Sequence, residues 1–91
     1  MKNLIAENRF EVLLKYFMTK EPKRDDADSY FYGVCVEKQI GEEVVESESA
    51  LLTEDSEEIP RVIEKLREYQ ITPFTLLETL DDHYRCFAQP S

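Results

Sequence analysis

Apolar residues follow two different patterns along this chain. Up to Leu52 they gather in runs rich in aromatic and β-branched side chains, and beyond Thr53 they recur at steps of three and four. "RFEVLLKYFMT", residues 9–19, fits both a strand and a helix. Alternation places Phe10, Val12, Leu14, Tyr16 and Met18 on one side of a strand, whereas helical spacing gathers Phe10, Leu13, Leu14, Phe17 and Met18 on one stripe. The content of strand-forming residues and the polar break "EPKRDDAD" favour a strand that ends in a loop, with Pro22 unable to extend a ladder. Residues 1–8 are expected to form a frayed or short helical lead.

"SYFYGVCVEKQI" predicts a second strand, since Tyr30, Phe31, Tyr32, Val34 and Val36 all suit a pleated surface. Gly33 offers no side chain to pack, so it marks a bulge or a close approach by another backbone. Gly41 accepts positive φ, and "IGEEV" reads as a tight hairpin into a third strand from Glu43 to Leu52. The "ESES" within it is polar on both faces and specifies register weakly.

"TEDSEE" then supplies a helix start, with Asp55 or Ser56 as the capping oxygen and Glu57 and Glu58 where the helix dipole favours negative charge. Ile59, Val62, Ile63, Leu66 and Tyr69 form one apolar stripe, and Pro60 sits early enough to be tolerated. Thr72 followed by Pro73 predicts a second start. That helix is expected to run to about Asp82 with Phe74, Leu76, Leu77, Leu80 and Tyr84 on its apolar side. "RCFA" after it reads equally as a short closing strand or an ordered tail.

Together these elements predict an α+β fold: a three-stranded antiparallel β-meander followed by two α-helices packed on one face. At 91 residues one domain is expected, with a meander over 9–52, a helical pair over 55–84 and a tail over 85–91. A chain this short has a narrow stability margin, to which a partner subunit can contribute.

Charge then limits the functional classes. The net charge is −9, and residues 42–91 hold thirteen acids against four bases, so the second half carries the whole excess. A helix-turn-helix reading of "YQITPFTLLETLDDHY" needs a second helix that approaches phosphates, yet no Lys or Arg lies between Glu68 and Tyr84. Neither nucleic acid nor an anionic membrane is therefore expected as a partner, and a nucleic-acid-binding regulator using the helical pair is the secondary reading. The band from Glu42 to Glu58, with eight carboxylates and no base, is either a solvated face or a landing place for a basic protein surface.

Candidate chemistry is sparse. "DDHYRC" places Asp82, His83 and Cys86 near one another, but one histidine and one distant second cysteine make no zinc set. The sequence has no glycine-rich phosphate loop, nucleophile elbow or paired-cysteine motif. No catalytic, cofactor-binding or metal-ligating residues are assigned, and a non-enzyme is expected. Cys35 and Cys86 lie in apolar surroundings and read as buried structural thiols, and with no apolar leader of signal-peptide length they point to a reducing cytoplasm. The candidate partner-binding residues are Phe31, Tyr30 and Tyr32 on the aromatic strand and Glu43, Glu46 and Glu48 on the acidic one. They would serve a protein-protein interaction or self-association module whose partner is another copy or a basic protein surface.

The order of landmarks resembles a family of short, functionally uncharacterised Firmicutes proteins known only as a domain of unknown function. The resemblance rests on Tyr32-Gly33-Val34, on Leu52-Thr53 with Asp55, on Val62, Ile63 and Leu66, and on Ile71, Pro73, Leu77 and Asp82. It covers roughly residues 10–84, and His83 and the "RCFAQPS" tail fall outside its pattern. It implies a strand over 9–19 and a cytoplasmic bacterial setting, and it brings no activity or ligand.

Overall fold

The computed structural model describes residues 11–26 and 28–88. The expected lead over 1–8 and the last three residues of the expected tail lie outside them. Three strands, β1 (Val12–Pro22), β2 (Tyr30–Ile40) and β3 (Glu43–Thr53), precede two helices, α1 (Glu58–Glu68) and α2 (Pro73–Ala88). The sheet is antiparallel in the order β1-β2-β3, so the α+β meander with a helical pair is the observed fold.

Alternation decides the first strand. Val12, Leu14, Tyr16 and Met18 pair with Ile40, Lys38, Val36 and Val34 on the side that the helices cover, as the strand template requires. Pro22 belongs to the ladder, opposite Tyr30, which corrects the expected end at Thr19. A proline is tolerated there because it is the last residue of an edge strand. Gly41 turns the second hairpin at φ 64.

Gly33 combines both of its expected roles. The ladder shifts between Tyr32 and Gly33, and a Cβ on Gly33 would stand 1.9 Å from the Ala50 carbonyl oxygen. A second shift between Lys38 and Gln39 leaves Val45 without a paired partner in β2, just before the weakly specified "ESES" stretch.

The helices lie on one face, α1 over β1 and β2, and α2 over β3 and β2. Val34, Val36, Ile59, Val62, Leu66 and Leu76 are fully buried between the layers, each worth about 1.5–3 kcal/mol of transfer free energy. Tyr16, Tyr32, Ala50 and Leu52 pack around them.

The start of α1 departs from expectation. Its N-cap is Glu57, which makes no side-chain cap bond, and the Asp55 carboxylate instead accepts the Glu57 amide at 2.9 Å in a turn before the helix. Thr53 Oγ1 in turn accepts the Asp55 amide at 3.0 Å. These local bonds satisfy the free amides upstream of the first helical turn. Tyr69, expected in the stripe, is the C-cap and is exposed.

At the connection, the Gln70 amide donates to Arg67 O at 3.1 Å and the Ile71 amide to Leu66 O at 2.9 Å. With Gln70 at φ 55 this is a Schellman closure carrying glutamine where glycine is usual. Thr72 Oγ1 then accepts the Thr75 amide at 3.3 Å, and Thr75 Oγ1 accepts the Thr72 amide at 3.3 Å. The reciprocal pair is a capping box with threonine in the usual glutamate position.

Helix α2 continues to Ala88, so "RCFA" is helical and is neither strand nor tail. Phe87 decides this: it falls seven residues after Leu80 on the same stripe and is buried. Phe74 and Leu77, expected on that stripe, are exposed instead, because Pro73, Leu76, Leu80 and Phe87 occupy the inner side. The far ends of the pair are tied by Tyr84, whose hydroxyl donates to Glu58, and by Arg61 Nη1, which donates to Ala88 O at 3.2 Å.

Candidate functional site

The opposite face of the sheet has no helix over it. The register places its side chains in cross-strand rows: Leu13, Gln39 and Val44; Lys15, Glu37 and Ser47; Phe17, Cys35 and Ser49; Thr19, Gly33 and Leu51; and Glu21 with Phe31. Leu13, Phe17, Phe31, Val44 and Leu51 are large apolar residues between 37% and 51% exposed. Single exposed apolar residues are ordinary, but five on one face of a three-stranded sheet form a patch.

Cys35 is the central residue of the central strand and lies on this face, with its Sγ 3.7 Å from Ser47 Oγ. Both cysteines are free, Cys35 half-buried and Cys86 exposed, which corrects the expectation of two buried thiols. Period-2 alternation explains Cys35: Val34 and Val36 take the core side, so the residue between them faces away. The charges in these rows are Lys15, Glu21 and Glu37, so this face carries little of the chain's net −9.

The sequence-derived partner residues do not share one surface. Phe31 lies on the uncovered face. Tyr32 packs against the core on the other side, and Tyr30 stands beside it with ring centroids 6.4 Å apart. Glu43, Glu46 and Glu48 pair with Ile40, Lys38 and Val36, and so fall on the helix side of β3. Glu46 and Glu48 line a shallow groove there with Ser47, Pro73 and Phe74. Leu13, Phe17, Val44 and Leu51 were not singled out in the sequence. For Leu13 and Phe17 the signal was present, since they are the residues out of phase with Val12, Leu14, Tyr16 and Met18.

Elsewhere, a groove of about 400 Å³ is lined by Tyr69, Ile71, Thr79, His83, Cys86 and Phe87. Its rings are stacked on one another, Tyr69 on Phe87 at 6.0 Å and His83 on Phe87 at 5.9 Å. Among the described residues, no group of three or more His, Cys, Asp or Glu is placed to hold a metal ion. The described helices include none long and apolar enough to cross a membrane.

Two tyrosines have shifted acidities, and both hold the helical cover in place. Burial and the hydrogen bond to the Glu58 carboxylate push the Tyr84 phenol up to about 12, against an opposing bond from Thr53. Tyr16 donates to Ile71 O at 3.0 Å, and burial raises its pKa despite the Arg67 guanidinium over its ring. Neither group reaches the uncovered face.

Fold and surface together define a small α+β module: a three-stranded sheet with a helical pair on one side and an apolar patch on the other. The chain belongs to a family of unknown function, DUF6514, whose model matches residues 1–85. No curated protein and no solved structure matches the chain.

Proposed function

We propose that this protein is a small, non-enzymatic association module that binds a second copy of itself through the uncovered face of its sheet. The observation that carries the reading is the set of five exposed apolar side chains, Leu13, Phe17, Phe31, Val44 and Leu51, on one sheet face. Three strands of eleven residues give that face a flat footprint of roughly 500 Å². Covering it on both copies removes about 1,000 Å² from water, the lower bound of a specific interface.

Charge favours a second copy as the occupant. A chain carrying −9 repels its own copy over most of its surface, and this face, with Lys15 against Glu21 and Glu37, is where that repulsion is weakest. A basic partner would instead find its counter-charges on the helix side of β3, at Glu43, Glu46 and Glu48. Two free thiols accord with a reducing cytoplasm as the working compartment.

The test is sedimentation velocity over a concentration series, comparing wild type with the Phe17→Lys, Leu51→Lys double variant. The wild type is expected to shift from monomer to dimer and the variant to remain monomeric with an unchanged circular dichroism spectrum. A wild type that stays monomeric at the highest concentration overturns the reading.

A further inference from the structure

We infer that the self-association is a two-fold stack of sheet on sheet in which Cys35 of each copy faces Cys35 of the other. The inference rests on the proposed association through this face, and the arrangement follows from where the apolar residues lie. Leu13 and Val44 occupy one end of the face, Phe31 and Leu51 lie toward the other, and Phe17 stands in the middle row. A staggered partner leaves one end bare, whereas full overlap covers all five. Full overlap brings the two centres together.

Closed pairs of identical chains are two-fold and self-complementary, so a residue at the centre of such an interface meets its own copy. Cys35 is the sixth of the eleven residues of β2, and β2 lies between β1 and β3. Its neighbours toward β3 favour close contact, since Gly33 in the next row, Ser49 opposite on β3 and Ser47 against its sulfur are small, whereas Phe17 stands opposite on β1 and Glu37 in the other adjoining row. The larger side chains stand around this shallow centre, so two copies can seat on each other without a central clash.

The geometry also fixes which chemistry is expected at the centre. Stacked sheets lie about 10 Å apart, and a disulfide needs Cα atoms within about 7 Å. The paired thiols are therefore neighbours and do not form a disulfide. What the stack does is shield them: Cys35 leaves solvent when the dimer forms, while Cys86, exposed on α2, stays accessible.

Two measurements on the full chain test this. First, the alkylation rates of Cys35 and Cys86 by N-ethylmaleimide are followed as protein concentration rises through the sedimentation midpoint. Because a shielded thiol is inert, the Cys35 rate is expected to fall with the monomer fraction, roughly tenfold once about nine in ten chains are dimeric, with the Cys86 rate unchanged. Second, a dimer mixed from isotope-labelled and unlabelled chains is examined for contacts between copies, and Cys35 of one is expected beside Cys35 and Phe17 of the other. A dimer whose Cys35 alkylates as fast at high concentration as at low overturns the inference while self-association stands. So does a dimer in which Cys35 contacts Leu13 and Val44, or Phe31 and Leu51, of the other copy, because that is a staggered stack. A chain that never dimerises removes the inference and the proposed function together.

Discussion

The two faces of the sheet are built from the same three strands and differ in what lies above them. On one, Val34 and Val36 are fully buried under Ile59, Val62, Leu66 and Leu76. On the other, Phe17, Leu13 and Leu51 are as apolar as anything in the core and remain more than 40% exposed. Composition therefore does not separate core from surface here. The separation comes from the helical pair, which follows the strands in sequence and covers one side only.

The sharpest way to break that comparison is to truncate one side chain on each face. Leu66→Ala, on the covered face, is expected to cost about 2–5 kcal/mol through lost transfer energy and a cavity, a large part of the 5–15 kcal/mol total that is usual for such a domain. Phe17→Ala, on the uncovered face, is expected to cost a dilute monomer about 1 kcal/mol or less and to abolish concentration dependence. Urea titrations at low and high protein concentration read both effects. Equal losses in the dilute monomer would mean that the faces are not energetically distinct.

Gly33→Ala tests where the faces meet in the backbone. The added Cβ would stand 1.9 Å from the Ala50 carbonyl oxygen and 2.8 Å from Leu51 Cα, so β3 itself must shift. A loss of about 1–3 kcal/mol is expected, as for other overpacked sites. Because Leu51 is carried on the displaced segment, dimerisation should weaken beyond what stability alone explains. A neutral substitution would show that the bulge relaxes freely.

Much of this architecture was legible from the residues. The strands, the Gly41 hairpin, the Gly33 bulge and the Thr72-Pro73 start follow from local chemistry that tertiary contacts did not override. The errors fall where a helical stripe must be assigned to a particular neighbour. Phe74 and Leu77 share α2 with Leu76 and Leu80, and only the position of the sheet determines which pair is buried. Phe87 was missed because its burial depends on α2 running past His83, and no stop signal or continuation signal marks that point. The candidate site was half legible: Phe31 was expected among the partner residues but grouped with Tyr32, which alternation puts on the core side, while Cys35 was expected in the core because its neighbours in sequence are apolar, although they face the other way.

Tyr84 tests how the cover is held down. Its neutral phenol donates to the Glu58 carboxylate, and its pKa in the fold is raised from 10.0 to about 12. A raised folded-state value means that the associated stability is fully present below the unfolded value near 10 and is lost as pH rises through about 12. Tyr84→Phe is expected to cost about 1 kcal/mol at neutral pH. The gap between wild type and variant should close across that alkaline window, as followed by urea midpoints and tyrosinate absorbance. A gap that is independent of pH would mean that the ring packs and the hydroxyl contributes nothing.

Gln70→Gly has the smallest expected effect and examines whether the two faces communicate. Gln70 holds φ 55 so that the Gln70 and Ile71 amides can close α1, and a side chain in that conformation costs about 1 kcal/mol. Glycine removes the strain but adds freedom to the unfolded chain, so the net gain is expected to be roughly 0.5 kcal/mol. This closure lies on the helix side of the sheet, where Tyr16 of β1 donates to Ile71 O. A better-seated cover should therefore raise the urea midpoint slightly and leave the dimerisation constant unchanged. If dimerisation strengthens as well, the sheet transmits the seating of its helices to its opposite surface, and the two faces form one coupled unit.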